Sequence, residues 1–178
     1  MRTILQVEDD PNDVFFLQQA MKKSGVANPI QVATDGQQAI DYLHGAGPFA
    51  NREQFPLPCL VLLDLKLPYV MGLDVLKWIH DQDRTPPVVI VLTASAEEAD
   101  IATAYLLGAN AFLTKPAESS KLDEMVRAIK DFWLTFNTLP RELYQPRTAV
   151  PANSDRLDPD AKPMAGMNGH AVKNGLMR

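Results

Sequence analysis

The chain predicts an α/β fold, a doubly wound parallel sheet made of five βα units, and three observations lead there. Apolar runs rich in Val, Ile and Leu stand at Ile4-Leu5-Gln6-Val7, Leu60-Val61-Leu62-Leu63, Val88-Val89-Ile90-Val91-Leu92 and Ala111-Phe112-Leu113, with a weaker one at Ile30-Gln31-Val32. Unbroken runs of this kind mark strands buried on both faces. Helical patterns separate them, leaving room for the right-handed crossovers that parallel strands need. Finally, Glu8-Asp9, Asp64, Thr93 and Lys115 each follow an apolar run closely. In a parallel sheet all of them emerge at the C-terminal strand edge, where such folds carry function.

The elements follow in order. Asp10-Pro11-Asn12-Asp13 opens a first helix with an Asx cap, a proline at the first helical position and an acid in the first turn. Val14, Leu17 and Met21 form its stripe, and it ends near Lys23, before Gly25. The run near Ile30–Ala33 leads through Asp35-Gly36 into a second helix with Ala39, Ile40 and Leu43, closed by Gly45 and Gly47. Residues 45–58, with prolines at 48, 56 and 58, read as an extended loop. Gly72 precedes a third helix with Val75, Leu76 and Ile79, which stops before Pro86-Pro87. Ser95 is expected to cap a fourth helix carrying Ile101, Ala104, Tyr105 and Leu107, with Gly108 as a left-handed stop. Ser120, with Asp123 three residues on, opens a fifth. With its Ile129 and Phe136 turned inward, Phe132 and Trp133 cannot both be fully buried, so apolar surface remains for a second subunit or for residues 139–144 to cover.

Composition bounds the function. Of 178 residues, 46% are hydrophobic, enough for one sizeable core. That core is assigned to a domain spanning 1–139. Residues 140–178 carry prolines at 140, 146, 151, 159 and 163 and no aromatic after Tyr144, and read as a largely flexible extension without a recognisable output domain. The body holds 11 Lys and Arg against 18 Asp and Glu, the extension 6 against 4. An acidic body has no general attraction for nucleic acid. Cys59, the single cysteine, starts an apolar run and reads as a packed thiol. No apolar stretch reaches the ~18 residues of a membrane span, and the N-terminus meets charge too early for a signal peptide; the expected location is cytoplasmic.

Three carboxylates at one sheet edge repel phosphate, and the loop after the first strand lacks a phosphate-cradling glycine pattern. A hard divalent cation such as Mg²⁺ reverses this, because it takes oxygen ligands and serves a phosphoryl group. One carboxylate can then be the nucleophile of a covalent phosphoryl transfer. Asp64 is the best candidate, since it ends the most apolar strand. Lys115 would supply positive charge for the phosphoryl oxygens and Thr93 a hydroxyl donor, while Asp10 reads as a helix cap. His44, His80 and His170 have no metal-ligand spacing, and no Gly-x-Ser-x-Gly elbow is present.

Glu8-Asp9, Asp64 followed by Pro68 and Gly72, Thr93-Ala94 and Lys115-Pro116 together resemble the receiver domain of two-component response regulators, over about residues 1–137. The resemblance implies a flavodoxin-like sheet of strand order 2-1-3-4-5. It implies that Asp64 accepts a phosphoryl group from the phosphohistidine of a sensor histidine kinase, and that Glu8, Asp9, Asp64 and the carbonyl of Lys66 hold Mg²⁺. By the same resemblance Thr93 and Phe112 form the switch, Lys115 contacts the phosphate, Ala94 leaves the acceptor accessible, and the Lys115–Pro116 bond is cis.

The long loop before the third strand and the Asp131-Phe132-Trp133-Leu134 ending resemble stand-alone regulators that serve phytochrome-type kinases, so a bacteriophytochrome is an expected partner. So are a second copy docked through the fourth helix, fifth strand and fifth helix, and a downstream protein or phosphotransfer partner. The implied protein is a signalling phosphoacceptor, not an enzyme, that assists its own phosphorylation and dephosphorylation. The alternatives are a phosphorylation-independent scaffold of the same fold and an aspartate-nucleophile phosphohydrolase. The latter needs Asp-x-Asp on the first strand, whereas Asp64 is on the third and Lys66 stands two residues on. Lys66 also departs from the Asn that many relatives carry.

Overall fold

The computed structural model describes residues 2–82 and 85–139; the expected extension, 140–178, lies outside them. Five strands, β1 (Thr3–Val7), β2 (Ile30–Ala33), β3 (Pro58–Leu63), β4 (Val88–Thr93) and β5 (Ala111–Thr114), alternate with α1 (Pro11–Lys23), α2 (Gly36–His44), α3 (Gly72–His80), α4 (Glu98–Leu106) and α5 (Ser119–Ile129). The strands form one parallel sheet in the order β2-β1-β3-β4-β5. This is the flavodoxin-like α/β architecture expected from the sequence.

Period-two alternation divides the sheet between two cores. Ile4, Leu60, Leu62, Val88, Ile90 and Leu92 pack with Leu17, Met21, Val126 and Ile129 of α1 and α5. Leu5, Val7, Val61, Leu63, Val89 and Val91 pack with residues of α2, α3 and α4, including Leu43, Leu76 and Ala104. Every residue of β3 and β4 is buried, which explains their unbroken apolar sequences. Each buried Leu or Ile contributes about 1.5–3 kcal/mol relative to exposure. Cys59 is among these buried residues, as a free thiol.

Several helix ends follow the sequence closely. Asp10 caps α1, accepting a 2.8 Å bond from the Asn12 amide, with Pro11 next. Asp35 caps α2 likewise, and Gly45 ends it at φ +81°, a left-handed position that suits glycine. Gly108, at φ +89°, follows α4.

Other expectations need correction. Ser95 does not cap α4: the chain spends residues 94–97 turning away from β4, and the cap position falls on Glu97, whose side chain makes no cap bond. Ser120 and Asp123 form no capping box. The cap position falls two residues earlier, on Glu118, and Asp123 instead pairs with Lys23 of α1. Residues 45–58 contain a short 3₁₀ turn, Gly47–Phe49, and are held in place by side chains. Arg52 donates to the carbonyls of Tyr42, Leu43 and Phe55, while Phe55 meets Tyr42 and Phe49 edge-on and those two rings are tilted against each other.

Phe136 points outward, 78% exposed, not inward. Beyond Ile129 the helix widens into a π-helical segment, Lys130–Phe136, and the Asn137 amide bonds back to Phe132. This wider turn moves the apolar positions off the stripe that α5 establishes. Phe132 is exposed too, while Trp133 and Leu134 pack partly on the core. No described helix is long and apolar enough to cross a membrane.

Candidate functional site

Strand register builds the site. Val7 pairs with Leu63 and Leu63 with Val91, so the β1–β3 and β3–β4 ladders end at the same height, while β4 runs on two residues to Thr93 beside β5. Glu8 and Asp64 follow at once; both are buried, against the usual behaviour of carboxylates. Thr93 pairs with Thr114 at the end of β5, and the Lys115 amide donates to the Thr93 carbonyl at 2.8 Å. Lys115 is thereby set beside β4 with its side chain free to reach back across the sheet edge.

It reaches Glu8 and Asp64. The Lys115 ammonium lies 2.5 Å from Glu8 Oε2, 2.6 Å from Asp64 Oδ2 and 2.8 Å from Asp13 Oδ2. Asp64 Oδ1 meanwhile accepts a 3.1 Å bond from the Lys66 amide. Thr93 is 1% exposed, and its Oγ1, also buried, has no hydrogen-bond partner among the described residues. A buried hydroxyl without a partner is costly and marks a place where another group is expected.

The remaining predicted residues are more loosely gathered. Asp9 and Lys66 are exposed, and neither side chain contacts the ammonium cluster. Phe112 is half-buried and packs against the core beneath α2, α3 and α4. Ala94 is exposed beside Thr93. The Lys115–Pro116 bond, expected cis, is trans, since no described peptide bond is cis. The two isomers of an X-Pro bond differ by only about 0.5–1 kcal/mol, so proline alone does not impose the cis form. His44 stacks edge-on with Trp78 and His80 is exposed, both away from the acids.

Electrostatics follow from one ammonium shared by three carboxylates. Burial pushes the Glu8 carboxyl above its ordinary range, against the opposing pull of Lys115. Burial alone would lower the Lys115 ammonium, but the hydrogen bonds from it to Asp13, Asp64 and Glu8 outweigh that and hold it above the usual lysine range. The quartet keeps an excess of negative charge, which a divalent cation would neutralise.

Asp13 is the member the sequence reading missed. It had a sufficient local explanation as an acid in a helical first turn; only the fold brings it to Lys115.

The loop after Asp64 is tightly built. Gly72 returns against β3, its amide bonding the Leu65 carbonyl at 3.0 Å, and a Cβ there would sit 2.1 Å from the Asp64 carbonyl oxygen. Tyr69, at φ 64°, holds a left-handed conformation between them, with its side chain 93% exposed.

Residues 4–127 match the family model for the response regulator receiver domain. The chain belongs to that family. Response regulator Rcp1 of Synechocystis sp. is 38% identical to this receiver over 142 residues, covering 78% of the chain and 93% of Rcp1. A crystal structure of the Mn²⁺-bound form of Rcp1 matches with a TM-score of 0.71 at 37% identity, over 79% of this chain and 99% of that one. The phosphorylated cyanobacterial phytochrome response regulator RcpA matches with a TM-score of 0.72 at 38% identity, over 78% of this chain and 98% of that one. The receiver thus resembles the phytochrome-associated members of its family, as its sequence motifs indicate.

Divalent-metal fit is tested by the donors themselves. Among the described residues no three His, Cys, Asp or Glu side chains stand close enough together to hold a metal. Asp9 stands apart, and the Lys115 ammonium lies between Glu8 and Asp64. Those two carboxylates nevertheless converge on one cation, the ammonium, and they are hard oxygen donors. Mg²⁺ is typically held by one or two carboxylates and several waters, so the residues fit such an ion.

Proposed function

We propose that this receiver is a phosphoacceptor that takes a phosphoryl group on Asp64 from the phosphohistidine of a sensor histidine kinase and signals through a changed interaction face. The observation that carries the reading is the convergence of Glu8 Oε2 and Asp64 Oδ2 on a single cationic group, Lys115, beside the buried and unpartnered Thr93 hydroxyl.

In the transfer, an Asp64 carboxylate oxygen attacks phosphorus and forms a P–O bond. The P–N bond breaks, and the imidazole leaves with the electron pair and takes up a proton. Glu8, Asp9 and Asp64, with the carbonyl of Lys66, would hold Mg²⁺. The bound ion supplies charge neutralisation for the phosphoryl oxygens. Lys115 turns its ammonium from the carboxylates to the phosphoryl group, and Thr93 Oγ1 gains the acceptor it lacks. Alignment and charge are most of what this reaction asks of a protein.

The Thr93 bond and the Lys115 pair then exist in only one of two states, which is the condition for a shift in population. Phe112, half-buried on the strand beside β4, is the side chain placed to follow Thr93. The responsive face is that of α4, β5 and α5, where Tyr105 and Leu106 at the end of α4 are exposed, and the π-helical segment that continues α5 exposes Phe132 and Phe136 as well. A second copy of the chain fits that face, with a downstream protein or phosphotransfer partner as the further recipient. The similarity to phytochrome response regulators supports a bacteriophytochrome as the cognate kinase, a cytoplasmic location, and a signalling role in which the chain assists its own phosphorylation and dephosphorylation without turning over a separate substrate. Nucleic acid is not among the proposed partners.

Acetyl phosphate with Mg²⁺ should add the mass of one phosphoryl group to the intact chain, and Asp64→Asn should abolish the gain. Unchanged labelling of Asp64→Asn would remove the assignment.

A further inference from the structure

Asp13 lies outside the acid set that would hold the metal, yet its Oδ2 is 2.8 Å from the Nζ of Lys115, 102 residues along the chain. Lys115 therefore has three carboxylate partners of two kinds: Glu8 and Asp64, whose side chains are almost wholly buried, and Asp13, whose side chain is 42% exposed. A helix dipole favours an acid anywhere in the first turn, so it does not explain why this one meets the ammonium. The fold does. Asp10 caps α1 and Pro11 takes the first helical position, which fixes Asp13 in the first turn opposite the end of β5.

The two kinds of contact conflict once a divalent cation arrives. An ammonium seated on Glu8 and Asp64 holds the same oxygens that the cation needs, and like charges at ångström separation in a poorly screened pocket repel strongly. Lys115 must withdraw from both. Withdrawal is easier where another carboxylate is already within hydrogen-bond reach, and Asp13 is the one that the cation does not use. On the phosphoacceptor reading, we infer that Asp13 is a positioning residue: it keeps the Lys115 ammonium when a divalent cation occupies Glu8 and Asp64, and thereby raises the site's affinity for that cation.

The test is a Mn²⁺ titration of the full chain, followed through the free-ion electron paramagnetic resonance signal, in a cycle of Asp13→Asn, Lys115→Met and the double variant. Asp13→Asn should weaken Mn²⁺ binding about fivefold, the factor that corresponds to a coupling of ~1 kcal/mol between contacting residues. In the Lys115→Met background the same substitution should change binding by less than about twofold, the scatter of independent sites. Asp13→Glu should restore part of the lost affinity. Should Asp13→Asn not fold, as judged by its circular dichroism without metal, Asp13→Ser takes its place in the cycle. Equal losses in both backgrounds would make Asp13 a plain source of negative field and overturn the inference, as would no loss in either. A parent chain that takes up no Mn²⁺ fails earlier and defeats the phosphoacceptor reading itself.

Discussion

Gly72→Ala is the substitution whose consequence the structure states most directly. The added Cβ would sit 2.1 Å from the Asp64 carbonyl oxygen and 2.6 Å from the Leu65 Cα. Both obstacles are backbone, and neither can rotate away. Restoring ordinary contact requires a displacement of about 1 Å between the start of α3 and the end of β3, the segment that carries the acceptor. Overpacking of this kind costs about 1–3 kcal/mol, and for a domain of this size each 1 kcal/mol lowers the melting midpoint by roughly 2–4 °C.

The chemical loss should be larger than the stability loss suggests, because a misplacement of about 1 Å can cost on the order of 100-fold in rate. Urea unfolding followed by circular dichroism gives the first quantity, and the initial rate of labelling by acetyl phosphate gives the second. Gly47→Ala is the control: its φ is +53° but nothing lies within 4 Å of an added Cβ, so it should lose about 1 kcal/mol and leave the rate unchanged. A Gly72→Ala chain with the parent's midpoint and labelling rate would refute the close-approach argument.

Other perturbations separate the remaining interactions. Lys115→Met leaves three carboxylates around an apolar side chain, and should destabilise the metal-free chain by about 3–5 kcal/mol, the cost of breaking a buried ion pair; Mg²⁺ should then raise its melting midpoint further than it raises the parent's. Glu8, whose pKa is raised, contributes stability that is fully present below its ordinary value of 4.5 and lost as pH rises through its folded value. Metal-free Glu8→Gln should therefore gain on the parent between pH 4.5 and pH 8, as read from urea midpoints at both pH values in EDTA. Arg52→Ala removes donors to two carbonyls in the last turn of α2 and one in the loop before β3, and should cost about 2–3 kcal/mol in urea unfolding without slowing phosphorylation.

The sheet was legible because burial on both faces writes itself into sequence as unbroken Val, Ile and Leu, as in β3 and β4. The start of α1 was legible for a different reason, since Asp10-Pro11 combines a cap and a fixed φ within two residues. Where a side chain had two possible partners, local pattern chose wrongly. Asp123 has the spacing of a capping partner for Ser120, but the fold offers it Lys23, 100 residues away. Phe136 follows the helical stripe of α5 until the π-helical turn shifts the register, a change no local periodicity announces.

The site divides in the same way. Glu8, Asp64, Thr93 and Lys115 could be read from their places at strand ends, because parallel strands bring their C-terminal ends together. Asp13 could not, because it lies inside a helix and joins the site only through a contact with β5's end. Asp9 shows the converse: its position beside Glu8 put it among the expected ligands, yet in this structure it is exposed while Glu8 is buried.

Borohydride reduction of the phosphorylated chain tests the central claim most directly, because it converts an aspartyl phosphate to homoserine and so marks the atom that took the phosphoryl group. After incubation with acetyl phosphate and Mg²⁺, peptide mapping should find homoserine at position 64 and nowhere else, and none when the metal is chelated. Homoserine at position 9 or 13, or a phosphoryl group recovered on a histidine, would contradict the account.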